Sequence, residues 1–157
     1  MPLLSEQDHK ALEDRFETSL VNDVSVRLFT QSTARSLLTI PGQQAQNNES
    51  LKVTQELLEE LVEISPKLSL HVLDVNGDGA EAARNMGIEQ IPAIVLGDDP
   101  EGRVRFYGAP VGNEFPTILT GIESISQQAP MLQDYVMVAA QQYIDEPVHL
   151  RVFVTPT

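Results

Sequence analysis

Ser5-Glu6-Gln7-Asp8 has the pattern of a capping box, and Leu12, Phe16 and Leu20 then recur at every fourth position. That spacing places three apolar side chains on one helical face, so a helix is predicted from Ser5 to about Asn22-Asp23. Val24-Ser25-Val26-Arg27-Leu28-Phe29 alternates and is rich in β-branched and aromatic residues, the signature of a strand. Phe29 breaks the alternation, which fits a strand covered on both faces. Residues Thr30 to Ser50 read as the least structured stretch. Pro41-Gly42 is a turn signal, Leu37-Leu38 with Ile40 can pack as one short turn, and Gln43 to Asn48 offers little apolar surface to offset ordering.

Leu51, Leu57, Leu58, Leu61 and Val62 form the next apolar stripe, with Glu56, Glu59, Glu60 and Glu63 on the outward side and Ser65-Pro66 as the stop. A second strand is predicted over Leu68 to Val75, then a turn at Asn76-Gly77-Asp78-Gly79. A short helix carrying Ala80, Ala83 and Met86 ends at Gly87. Ile91-Pro92 leads into the apolar strand Ala93 to Leu96, and Gly97 to Gly102 turns it into Arg103 to Tyr107 as a hairpin. Phe115, Ile118, Leu119 and Ile122 mark another helix, and Met131, Leu132, Tyr135, Val136 and Ala139 one more. His149 to Val154 then reads as a further strand, repeating the earlier Val26-Arg27-Leu28-Phe29-Thr30 pattern.

The order helix, strand, helix, strand, helix, strand, strand, helix predicts an α/β fold. At 157 residues with 41% hydrophobic content the chain is long enough to bury its own core. Ten basic against 23 acidic residues give a formal charge of -13, which repels phosphate backbones and anionic headgroups. Nucleic acid and membrane are therefore not expected as partners. The absence of cysteine removes disulfides, thiolate metal sites and every thiol nucleophile from this polypeptide. The first residues carry no basic stretch leading into an apolar segment, so a cytoplasmic location is the expectation.

The remaining chemical motifs are weak. Asp74, Asn76 and Asp78 with Gly79 match the opening of an EF-hand calcium loop, but its twelfth position is Asn85, where a bidentate Glu is required. An ordinary strand-to-helix turn is the better reading, with Asp78 favouring the helix start. The four glutamates from Glu56 to Glu63 read as a solvated face, and His9, His71 and His149 lie in unrelated contexts, so no metal site is expected. Dinucleotide, Walker and G-x-S-x-G patterns are missing, and no cofactor or catalytic residue is called for.

Two stretches carry a family resemblance: Gly87-Ile88-Glu89-Gln90-Ile91-Pro92-Ala93, and Arg105-Phe106-Tyr107-Gly108-Ala109-Pro110-Val111-Gly112-Asn113-Glu114-Phe115. They resemble the thioredoxin-like (glutaredoxin-like) superfamily, and within it the first unit of tandem protein disulfide oxidoreductases and the N-terminal region of the alkyl hydroperoxide reductase flavoprotein subunit. The resemblance spans about Val24 to Glu123 and resumes at Pro147. It implies a central mixed four-stranded sheet flanked by helices, plus a C-terminal helix and a strand that begins a second unit. It also implies a cis bond at Ile91-Pro92 beside a redox site whose two cysteine positions fall on Asn48 and Leu51.

With Asn48 and Leu51 in those places, no thiolate attack on a disulfide can occur through this chain. A vestigial peptide shelf built from Ile91, Pro92 and Phe106 is one reading of what remains. A fixed turn with Phe106 in the core is the other. The resemblance further implies a domain over residues 1–125, with 126–157 as linker helix and first strand of a truncated second thioredoxin-like unit. The expected function is a noncatalytic domain that supports or positions a downstream redox unit or redox protein, with a homodimer as a further option. The alternative is a free-standing peptide- or protein-binding module.

Overall fold

The computed structural model describes residues 3–32, 43–129 and 132–154. Helix α1 spans Glu6–Ser19 and opens with the expected reciprocal cap: the Asp8 amide donates to the Ser5 hydroxyl oxygen, and the Ser5 amide donates to the Asp8 carboxylate. The Ser5 hydroxyl in turn donates to the Asp8 carboxylate at 2.6 Å, and this bond, followed by that of the Ser5 amide, holds the Asp8 carboxyl below its ordinary value. Leu12 and Phe16 on α1, with Leu20 just past its end, are buried against the sheet, as their spacing requires.

Strand β1 (Val24–Thr30) is followed by α2 (Gln43–Ile64), β2 (Leu68–Asp74), α3 (Ala80–Met86), β3 (Ala93–Leu96) and β4 (Arg105–Tyr107). A 3-10 turn at Gly112–Glu114 leads into α4 (Phe115–Gln127), and α5 covers Asp134–Tyr143. The sheet order is β2-β1-β3-β4, with β1 parallel to β2 and β3 antiparallel to both β1 and β4. This mixed four-stranded sheet flanked by helices is the thioredoxin-like arrangement.

Period-two alternation sorts the two faces. Val24, Val26, Leu28, Ile94 and Leu96 join side chains of α1, α2 and α4 in one core, while Phe29, Ala93 and Val95 meet Ala83 and Met86 of α3 in a smaller one. Ser126, fully buried on α4, fastens the chain before β1. Its hydroxyl accepts from the Val21 and Asn22 amides and donates to the Asn22 carbonyl. Arg15 of α1 grips Glu123 of α4 through two bonds of 2.6 and 2.8 Å.

Several boundaries differ from the sequence expectation. Helix α2 begins at Gln43, inside the stretch read as unstructured, because an established helix adds residues at one hydrogen bond each even without an apolar stripe. Leu37, Leu38, Ile40 and Pro41-Gly42 lie outside the described residues. Strand β4 starts at Arg105, since Arg103 turns back to Asp99 and Glu101. Helix α5 starts at Asp134; Leu132 precedes it and Met131 lies outside the described residues. Residues 149–154 carry a strand's alternation but no ladder bonds among the described residues, because a strand exists only through a partner. Glu60 is more than a solvated side chain: its carboxylate accepts from the Leu3 and Leu4 amides, 3.6 Å from His9 on α1. Burial works against the Glu60 charge, but these donors outweigh it and keep its pKa below the ordinary value. Among the described residues no helix is long and apolar enough to cross a membrane.

Candidate functional site

The site implied by the sequence comprises the Ile91–Pro92 junction just before β3, Phe106 on β4, and Asn48 and Leu51 on α2. The Ile91–Pro92 peptide bond is cis, Pro92 is buried, and its carbonyl accepts from the Gly108 amide at 3.0 Å. Gly108 has φ of 89°, in the left-handed region, so glycine fits there without a Cβ penalty. Arg105 fixes the approach of β4 by donating to the carbonyls of Met86 and Gly102, at 2.6 and 2.8 Å. The end of α3 and the β3–β4 hairpin are thereby held as one unit.

Ile91 is half-buried and packs on the smaller core beside α3. Phe106 sits on the opposite face: it pairs with Ile94, packs against the larger core and approaches Gly121 of α4. The structure therefore does not bring Ile91 and Phe106 together. The β4 aromatic residue on the face of the smaller core is Tyr107, which pairs with Ala93 and is 38% exposed. Alternation in the sequence puts Phe106 and Tyr107 on opposite faces of β4, and the register of β4 against β3 sets which of them joins Ile91.

Asn48 and Leu51 both lie in α2, and Leu51 is half-buried there. Neither side chain is a nucleophile toward a disulfide, and the chain has no thiol elsewhere. Thiol catalysis by this polypeptide is chemically unavailable.

The calcium-like loop is occupied with its own backbone. The Asp74 carboxylate accepts from the Asn76 amide at 2.8 Å and the Ser32 amide at 3.4 Å, and the Asp78 carboxylate accepts from the Asp74 amide at 2.9 Å. Ser32 side-chain bonding and the Asn76 amide keep the Asp74 pKa low. These oxygens brace a turn between β2 and α3 rather than converge on a cation. Among the described residues no group of three His, Cys, Asp or Glu is placed to hold a metal ion.

No protein-family model and no curated protein matches the chain. Solved structures do. A mutant form of the alkylhydroperoxide reductase protein AhpF from Enterococcus faecalis aligns with a TM-score of 0.64 at 20% identity, over 86% of this chain and 58% of that one. The NTD_N/C domain of the same Enterococcus protein gives a TM-score of 0.64. A protein disulfide oxidoreductase from Aeropyrum pernix aligns at 0.65 and 22% identity, over 87% of this chain and 54% of that one. The chain thus spans little more than half the length of these structures, and at such identities the likeness is one of fold.

Proposed function

We propose that this chain is the noncatalytic, scaffolding member of a dithiol/disulfide system: a thioredoxin-like domain, about residues 1–125, that supports or positions a redox-active unit. The observation that carries the reading is a fully formed thioredoxin-like sheet, with both of its cores packed, in a chain that has no cysteine. Such a domain keeps the shape that a redox partner recognises while electrons pass through sulfur held elsewhere. Likeness to an alkylhydroperoxide reductase protein and to a disulfide oxidoreductase, of whose chains 58% and 54% are covered, supports a partner of that chemistry. The partner would meet the surface beside Ile91 and Tyr107, where half-exposed apolar groups border the start of β3.

Insulin-disulfide reduction tests this reading. The purified chain alone should match the dithiothreitol blank. Added to a purified two-cysteine thioredoxin-like unit, it should bind that unit and change its rate. The Tyr107→Asp variant, confirmed as folded by circular dichroism, should lose both effects. Reduction of insulin by the chain alone, or no effect on the two-cysteine unit, refutes the proposal.

A further inference from the structure

The segment just ahead of α1 is held by a single carboxylate. Glu60, in the second half of α2, accepts the Leu3 amide on Oε1 at 2.5 Å and the Leu4 amide on Oε2 at 2.9 Å. The same Oε2 lies 3.6 Å from His9 Nε2 on α1. Leu4 packs against the larger core, whereas Leu3 is 43% exposed. Residues 3–5 thus form a strap between α1 and α2, and both of its bonds to α2 end on one side chain.

The rest of α1 is fastened by other means: Leu12 and Phe16 in the larger core, the Arg15 bonds to Glu123, and the reciprocal Ser5–Asp8 cap. None of these passes through Glu60, so the strap is separable from the domain that it crosses. The Glu60 side chain keeps 15% of its surface open, next to residues that line a cleft, among them Leu3, Leu4, His9 and Lys10. Protons therefore reach it without unfolding. An ionised carboxylate serves two amides at once, because both oxygens are acceptors. A neutral carboxyl turns one oxygen into an O–H donor, which faces an N–H and bonds nothing there.

We infer that Glu60 is an acid-released latch: ionised, it straps residues 3–5 across α1 and α2, and protonated, it lets the strap go while the domain stays folded. The sign follows from the partners. Burial opposes the Glu60 charge, but the Leu3 and Leu4 amides and His9 outweigh it and hold the pKa below its ordinary value. The latch is therefore complete above the unfolded-state value of about 4.3 and is lost as pH falls through the lower folded value. Glu6, Lys10 and Glu13 of α1 border the cleft, and Glu56, Glu59 and Glu63 flank Glu60 along α2. Acid discharges those carboxylates too, which leaves Lys10 and a protonated His9 as the neighbours acting on Glu60, both toward closure. Asp8, held low by the Ser5 hydroxyl, governs the α1 cap and not the strap. This inference goes beyond the proposed function, and the insulin assay does not bear on it.

The test is amide hydrogen exchange by NMR on the intact chain, read as protection relative to the unstructured rate at pH of about 6 and about 3. Leu3 and Leu4 should lose protection by about tenfold or more at the lower pH, the worth of a bond to a charged acceptor. The amides of β1 should stay protected at both. Glu60→Gln, which copies the neutral carboxyl, should show the same loss at Leu3 and Leu4 already at the higher pH, with no further change in acid. If that variant does not fold, the Glu60 carboxyl resonance of the wild type replaces it, and its midpoint should coincide with that of the two strap amides. Strap amides that keep their protection in acid or in Glu60→Gln, or that titrate apart from the Glu60 carboxyl, overturn the inference. Loss of protection throughout β1 over the same pH range overturns it as well.

Discussion

The Arg15–Glu123 clamp should behave as a buried carboxylate with one partially wet counter-ion. Glu123 is only 4% exposed, and its two oxygens take bonds from Arg15 Nε and Nη2, whereas the Arg15 side chain is 38% exposed. Removing one partner of a fully buried pair costs about 3–5 kcal/mol. Here water can enter where the guanidinium leaves, so the cost of Arg15→Ala reduces to about 2 kcal/mol. In a domain of this size that lowers the midpoint of thermal unfolding by roughly 4–8 °C. Arg15→Met with Glu123→Leu removes both charges and should recover most of the loss. Urea titrations of wild type, Arg15→Met, Glu123→Leu and the double variant, followed by far-UV circular dichroism, would supply the four corners of the cycle, with a coupling of about 1–2 kcal/mol expected.

The sign with pH follows from the carboxylate. Bonding to Arg15 outweighs burial and holds the Glu123 pKa below its ordinary value. The pair's contribution is therefore complete above the unfolded-state value, about 4.3, and is lost as pH falls through the folded value. The difference between wild type and Arg15→Ala should be large at pH 7 and shrink below pH of about 4. A cost under about 0.5 kcal/mol at pH 7, or one that does not change on acidification, would refute the reasoning.

Two other outcomes follow from local geometry. A Cβ on Gly79 would lie 2.8 Å from Leu73 Cβ and 3.0 Å from the Asp74 carbonyl oxygen, so Gly79→Ala must displace the β2–α3 turn. About 1–3 kcal/mol of stability should be lost, read from a urea midpoint, and an unchanged midpoint would contradict that close approach. Calcium at about 1 mM should leave the thermal midpoint within about 1 °C of the value in chelator, because the Asp74 and Asp78 oxygens already serve backbone amides. A midpoint that climbs with calcium concentration would reinstate a cation site in this loop.

What the sequence disclosed depended on the range of the interaction. Leu12, Phe16 and Leu20 announce their face through spacing alone, and the Ser5–Asp8 cap is complete within four residues. Pro92 was legible because the run around it is distinctive, and the following Ala93 to Leu96 is apolar throughout. The Glu60 anchor for Leu3 and Leu4 and the Arg15 grip on Glu123 each join residues more than fifty positions apart, and no local pattern encodes such pairs. Phe106 illustrates the intermediate case. Its place in β4 was readable, but its face depended on register with Ile94, which only the hairpin geometry sets.

This separation of scales explains how a redox-type fold persists without a redox group. The larger core draws on Val24, Val26, Leu28, Leu58, Leu61, Ile94, Leu96, Ile118 and Ile122, and the smaller on Phe29, Ala83, Met86, Ala93 and Val95. Leu51 belongs to neither set, and Ile91 and Phe106 of the expected shelf touch the cores from their margins and on opposite faces. Burial energy resides in strand interiors and helix faces, whereas the chemistry of such a site resides at strand ends and a helix start. Replacing a cysteine at those ends removes little apolar area from the cores, so the scaffold and the chemistry can part. Under the proposed function, what the scaffold offers a partner is surface, with Ile91 and Tyr107 at the start of β3 and the end of β4.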